Sequence, residues 1–280
     1  MKTLAPAKVN LSLRVLRRRD DGFHDIESLI VPISVFDQLE IEARDADGID
    51  FTCNEPDVPA DDTNLVVRAA RAFCAAFQIP PNLRITLRKE IPHGAGLGGG
   101  SSDAAFTLLA LDEIFATRAP REKLHALAAD LGSDVPFFLE RSAARVTGRG
   151  ENVAPIEFPH TIPLLLIKPR FGVPTPWAYR QWRDSLEIPG VRYEAQEFPW
   201  GALVNDLERP VFEKYLHLAE LKTWLLAQPE VIGALMSGSG ATVFAILRGK
   251  DAGESLRAKV TAEFGGNLWS RAVETLPSPG

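Results

Sequence analysis

The amino-acid sequence predicts a mixed α/β protein, with sheet and helix in two layers, divided into two domains. Three observations carry that prediction. Some stretches alternate apolar and polar residues, others return an apolar residue at every fourth position, and a proline-punctuated segment past the midpoint is followed by both patterns again. With 280 residues, 45% of them hydrophobic, the chain is long enough to bury a real core in each half.

The residues from Val9 to Val15 alternate without a slip, which is the period of a half-buried strand, and Arg17 to Gly22 reads as the turn after it. Apolar stretches at Ile26–Val35, Leu39–Ala43 and Ile49–Cys53 extend this into a largely antiparallel sheet. From Asp62 the period changes: Leu65, Ala69, Phe73 and Phe77 lie on one face of a helix. Leu83–Leu87 alternates again. A helix should then follow a glycine-rich segment, with Ser101 or Ser102 as its cap and Asp103 in its first turn. Pro120–Leu131 predicts another helix, and Gly132 to Phe138 places Asp134 at a turn between that helix and an apolar strand. Prolines 155, 159 and 163 set a boundary near residue 158, giving domains 1–158 and 159–280. In the second, Leu164–Lys168, Ile232–Met236 and Thr242–Leu247 read as strands, and Pro176–Asp184, Leu218–Ala227 and Ala252–Phe264 as helices.

Charge narrows the chemistry. Lys and Arg number 31 against 37 Asp and Glu, so a net charge of −6 offers no basic field for nucleic acid or an anionic membrane, and an anionic ligand must be held locally. Cys53 and Cys74 sit in no CxxC or Cys/His cluster, which predicts neither a disulfide framework nor a zinc site. Lys8, Asn10 and Arg14 break any leader-like apolar run at the start, and no run of about eighteen apolar residues follows. The expectation is a soluble cytoplasmic protein with no membrane, nucleic-acid or obligate protein partner.

Residues 94–100 hold five glycines and run straight into an alanine- and leucine-rich helix. Glycine lets a ligand approach the main chain, and the helix start presents unpaired N–H groups and partial positive charge, so the segment is a cradle for phosphate. Gly94, Gly96 and Gly99 fit GxGxxG, but Glu90 to His93 intervene after a late strand, and no acidic residue closes a second strand as a dinucleotide fold requires. No lysine follows the glycines as in a Walker loop, and protein-kinase signatures are missing. A flexible linker would not abut an apolar helix. A second cluster, Met236 to Thr242, lies between two strand-like runs; taken alone it is a hairpin turn, and it lacks the GxSxG of a hydrolase. Lys8, alone, would be an edge-strand lysine reaching for solvent, and Asp134 a turn residue.

Together these segments resemble the GHMP kinase superfamily, and within it the kinases of 4-diphosphocytidyl-2-C-methyl-D-erythritol. The likeness runs from Ala5–Leu11 and Asp21–His24 through Asp62–Leu65, the glycine segment, Gly132–Phe138, Thr147–Glu151, Pro174–Pro176 and Asn205–Glu208 to Ser237–Thr242. It implies a ribosomal-protein-like N-terminal α/β domain, a ferredoxin-like C-terminal sandwich and an active site between them. It further implies transfer of a phosphoryl group from ATP to the C2 hydroxyl of the cytidyl diphosphate substrate, in isoprenoid precursor biosynthesis. Other small-molecule GHMP kinases, of mevalonate or homoserine type, and a non-catalytic nucleotide-binding regulator are the alternatives.

On that resemblance, Asp134 would accept the hydroxyl proton and Lys8 beside it would favour the developing alkoxide. Gly94, Gly96, Leu97, Gly98, Gly99, Gly100, Ser101 and Ser102 would hold the ATP phosphates, with Ser102 reaching Mg²⁺. Asn64 and Lys89 would line the adenine site. Phe23 and Tyr179 would stack on cytosine, His24 would bond its edge, and Asn10 and Thr175 would meet the sugar-alcohol or diphosphate. The family pattern has tyrosine where Phe23 stands. Arg17 to Arg19 read as a solvated turn.

Overall fold

The computed structural model describes residues 1–277. Strands β1 (Lys2–Arg18) and β2 (His24–Ala43) form a long antiparallel ladder at the centre of an eight-stranded sheet. One flank is β4 (Leu83–Arg88) and then β3 (Ile49–Cys53); the first half of β2 also pairs with β5 (Ala144–Gly148), which pairs with β6 (Asn152–Pro155). Helices α1 (Leu65–Phe77), α2 (Gly99–Ile114), α3 (Arg121–Leu131) and α4 (Val135–Leu139) pack around a core that includes Ile41, Phe73, Ile85, Leu108 and Phe137.

The second sheet is antiparallel, in the order β10 (Val231–Met236), β11 (Val243–Leu247), β7 (Pro163–Lys168), β12 (Trp269–Glu274). Helices α5 (Thr175–Gln181), α6 (Glu208–Lys214), α7 (Leu216–Leu226) and α8 (Ala252–Phe264) belong to this half, and Leu165, Ile167, Phe212, Leu221 and Leu256 share its core. Residue 158 falls in the connection from β6 to β7, where the chain leaves one sheet for the other. Two later strands return: β9 (Gly201–Asn205) pairs parallel to β1 and antiparallel to β8 (Gln196–Phe198). A third core joins the sheets, with Ala7, Val9 and Leu11 of β1 against Leu164, Leu166 and Phe244. The alternation of β1 therefore turns Lys8 and Asn10 away from that core.

Three expectations are corrected. Ile26–Val35 and Leu39–Ala43 are one strand; the ladder with β1 continues across a bulge, where Pro6 pairs with Phe36 and Ala7 with Ile33. Val135 to Phe138 begin a short helix rather than a strand, since Pro136 suits a first turn and the unbroken apolar run packs against α2 and α3. Neither Ser101 nor Ser102 caps α2: the cap is Gly98 in the left-handed region, and the helix starts at Gly99, so Asp103 lies beyond its first turn.

Candidate active site

A cavity of about 370 Å³ opens between the two halves, within the range of small-ligand sites. Its walls carry Lys8, Asn10, Asn64, Lys89, the glycine segment from Gly94 through Ser101, Asp134, Thr175 and Tyr179. Residues scattered across most of the sequence thus converge on one space.

Lys8 is the buried centre of that space. Its ammonium lies 3.5 Å from Asp134 Oδ2 and donates to Asn10 Oδ1 at 2.7 Å, while Asn10 Nδ2 donates to Ser28 Oγ at 2.8 Å. The Lys8 side chain is 4% exposed and that of Asp134 is 41% exposed, so the carboxylate faces the cavity mouth and the lysine is pinned behind it. The Lys8 main-chain N–H donates to Leu97 O at 2.9 Å, which ties β1 to the glycine segment. Gly98, with φ +71°, has no room for a side chain: a Cβ there would stand 2.8 Å from the Phe138 ring and 3.0 Å from Lys8 Cγ. Glycine at this point lets the cradle, the lysine and the helix behind Asp134 close together.

The second glycine cluster is the β10–β11 hairpin turn, and it locks onto the first. Ser237 Oγ donates to Gly96 O at 2.9 Å and Thr242 N to Ala95 O at 3.2 Å. A Cβ on Gly96 would collide with the Ser237 carbonyl. Ser239 shares a 2.7 Å hydrogen bond with Thr175 Oγ1, which carries the wall across to α5.

Two residues of the expected adenine wall are engaged in structure. Asn64 caps α1, accepting from Val66 N at 2.8 Å and donating to Pro59 O at 2.7 Å. Lys89 donates to Asp37 and, at 2.7 Å, to Asp103. One ammonium cannot neutralise two buried carboxylates, and burial, with Lys89 opposing it, pushes Asp103 up to about 7. Burial works to lower the Lys89 ammonium, but Asp103 and Asp37 outweigh it and its pKa is raised.

Phe23, His24 and Ser102 are not among the cavity walls. Phe23 is 50% exposed with the Arg149 guanidinium 4.9 Å above its ring. His24 is buried behind Tyr179, ring centroids 5.5 Å apart, and burial, then Arg18, lowers its pKa. Burial, with a smaller contribution from Asp134, raises the Tyr179 phenol and keeps it neutral. Ser102 Oγ is fully buried with no hydrogen-bond partner, as a hydroxyl held ready for a ligand at the start of α2 would be. No group of three His, Cys, Asp or Glu that could hold a metal occurs among the described residues.

The sequence reading missed Asp37, which also accepts from the Glu90 and Ile91 N–H groups at 2.6 and 2.9 Å. A single aspartate at the edge of an apolar run carries no local sign of such a role.

Comparison with known proteins identifies the family. The family description GHMP kinases N terminal domain matches residues 64–141, and GHMP kinases C terminal matches residues 196–266. A 4-diphosphocytidyl-2-C-methyl-D-erythritol kinase of Methylacidiphilum infernorum is 43% identical, the match covering 99% of this chain and 97% of the relative; one of Geobacter sulfurreducens is 38% identical over 91% and 94%. A crystal structure of 4-(cytidine 5'-diphospho)-2C-methyl-D-erythritol kinase superposes with a TM-score of 0.79 at 38% identity, covering 99% of this chain and all of that one. A homoserine kinase of Cytophaga hutchinsonii, 19% identical with a TM-score of 0.68 over 100% of this chain and 96% of that one, shares the fold.

Proposed function

Since this chain belongs to the 4-diphosphocytidyl-2-C-methyl-D-erythritol kinases, within the GHMP kinases, we propose that Lys8 and Asp134 carry the transfer of the terminal phosphoryl group of ATP to the C2 hydroxyl of 4-diphosphocytidyl-2-C-methyl-D-erythritol. The enzyme is an ATP-dependent small-molecule kinase of the methylerythritol phosphate route to isoprenoid precursors. A cytoplasmic location, and the division of labour between residues 1–158 and 159–280, belong to the same proposal.

The observation that carries it is the 3.5 Å pair of Lys8 and Asp134 on the wall that the glycine cradle also forms. Phosphoryl transfer asks the protein for positioning and charge neutralisation more than covalent chemistry. Backbone N–H groups from Gly96 to Ser101 are placed to hold the phosphates, with Gly94 on the same wall. The Ser102 N–H, expected to share that task, is spent on Gly98 O at 2.9 Å as the first bond of α2. Asp134 accepts the hydroxyl proton as the new O–P bond forms and the bond to the β-phosphate oxygen breaks, releasing ADP. Lys8, fixed by Asn10, stabilises the alkoxide as it develops. Asn64 and Lys89 shape the adenine wall through the structure they hold; Asn10, Thr175 and Tyr179, with Phe23 and His24 beyond, serve the cytidyl substrate. Mg²⁺, when bound, supplies neutralisation of phosphate charge, and Ser102 Oγ is the protein oxygen that suits it.

The test is an ADP-release assay with Mg-ATP and the cytidyl substrate, mevalonate or homoserine in turn. Turnover is expected with the cytidyl substrate, and Asp134→Asn should lower kcat at least about 100-fold. Turnover of mevalonate or homoserine without the cytidyl substrate rejects the assignment, and equal rates in the two proteins remove Asp134 from the mechanism.

A further inference from the structure

We propose that Asn205 is a positioning residue for the acceptor side of the site. It holds the second glycine turn at a fixed distance from the strand that bears Lys8 and Asn10. This inference rests on the kinase reading above and deepens it.

Asn205 ends β9, where Leu13 of β1 is its register partner, and the next residue returns to the same strand: Asp206 N donates to Leu13 O and Val15 N donates to Asp206 Oδ2, both at 2.9 Å. On its other side the buried Asn205 side chain spends both amide protons on the glycine turn, donating to Met236 O and Gly238 O at 2.7 Å each. Its carbonyl accepts from Leu207 N at 2.9 Å, so the orientation of the amide is set. Three residues on, Glu208 accepts from Met236 N at 2.9 Å and pairs with the buried Lys222 at 2.6 Å. Both polar groups of the Met236 backbone are thereby held from the segment 205–208.

What is held lies beside the proposed chemistry. A Cβ on Gly238 would lie 3.3 Å from Asn10 Oδ1 and 3.5 Å from both Lys8 Nζ and Gly96 O, the last already bonded by Ser237 Oγ, and Ser239, bonded to Thr175, follows it. The part of the turn that meets the ATP cradle has its own bonds: Ser237 Oγ to Gly96 O, Ser237 N to Thr242 O and Thr242 N to Ala95 O. Loss of the Asn205 amide therefore loosens the turn where it faces the alcohol and spares it where it faces the triphosphate. A structural role alone would give no such selectivity, since a smaller folded fraction lowers apparent kcat and leaves the KM of both substrates unchanged.

The test is steady-state kinetics of Asn205→Asp, which keeps shape and the Leu207 bond but sets a carboxylate against two carbonyls, with folding checked by circular dichroism. The expected result is a KM for the cytidyl substrate raised about tenfold or more, from one buried and one part-buried carbonyl left unbonded, with the KM for ATP within about twofold of wild type. Asn205→Ser, which retains one hydroxyl, should show the same selectivity at smaller size and replaces the aspartate if that variant does not fold. A cytidyl KM within twofold of wild type in the folded variant, or equal rises for both substrates, overturns the inference. Failure of both variants to fold also overturns it, by making Asn205 a folding residue. A wild type that does not turn over the cytidyl substrate refutes the kinase reading instead, so the two failures are told apart.

Discussion

Lys8 and Lys89 are both buried lysines on the walls of one cavity, yet they have opposite surroundings. Lys89 is closed in by Asp37 and Asp103, each almost wholly buried. Lys8 has a neutral amide and one half-exposed carboxylate at 3.5 Å. An ammonium whose charge is already overmatched by fixed carboxylates has little left for a ligand; one whose main ionic partner faces the cavity can answer charge that develops there. The contrast teaches that a buried lysine is read by its partners, and on the proposed mechanism it assigns Lys89 to holding the site together and Lys8 to acting in it.

The strongest way to break the contrast is Lys8→Met. It should lower kcat about 1,000-fold, the scale of losing one preorganised stabiliser of transition-state charge, while Tm stays within a few degrees because Asp134 remains solvated. Lys89→Met should do the reverse. It leaves two buried carboxylates unpaired, at about 3–5 kcal/mol of stability and about 10 °C in Tm. Thermal melts and ADP release on both variants decide the matter, and a Tm loss as large for Lys8→Met as for Lys89→Met erases the distinction.

How much of this could be read beforehand differs between the two lysines for a physical reason. Alternation in Val9–Val15 already placed apolar residues on one face, and the β1 alternation sets Lys8 and Asn10 on the other; the glycine cradle was legible from composition and from the helix behind it. Period placed β1, β4 and α1, and apolar runs placed β2, β3, β7, β10 and β11, while β5, β6, β8, β9, β12 and α6 went unread. Asp37, Lys89 and Asp103 could not be joined that way, since they meet across strands and a helix 52 and 14 residues apart in sequence. Local pattern says nothing of such meetings. The short helix after Asp134 was misread because a five-residue apolar run has no period to measure. The strand Ala144–Gly148 alternates and could have been found, whereas the Asn205 amide is recognisable only once β9 is seen returning to β1.

A gentler change sharpens the Lys89 side. With its carboxyl pushed up to about 7, chiefly by burial, Asp103 holds a proton in the folded chain over a range where the unfolded chain, near 3.8, has released it. Stability from this group therefore falls as pH rises between about 4 and 7 and is level above. Asp103→Asn mimics the protonated form at every pH, so its Tm should gain on the wild type across that window, by a few degrees at most. A difference that stays flat from pH 4 to 8 would mean that Lys89 keeps both carboxylates ionised.

The smallest effect belongs to Phe23, which stands half exposed under Arg149, off the cavity walls. A ring there can offer its face to a base and its other face to the guanidinium, and neither contact needs a hydroxyl. Phe23→Tyr should then change the KM for the cytidyl substrate by less than about threefold, the value of one solvent-exposed hydrogen bond. Phe23→Leu, which keeps apolar bulk and loses the aromatic face, should raise it about five- to tenfold. Measured side by side, the pair separates stacking from hydrogen bonding. A tyrosine that improves KM more than the leucine harms it would show that the missing hydroxyl, not the ring, limits substrate capture here.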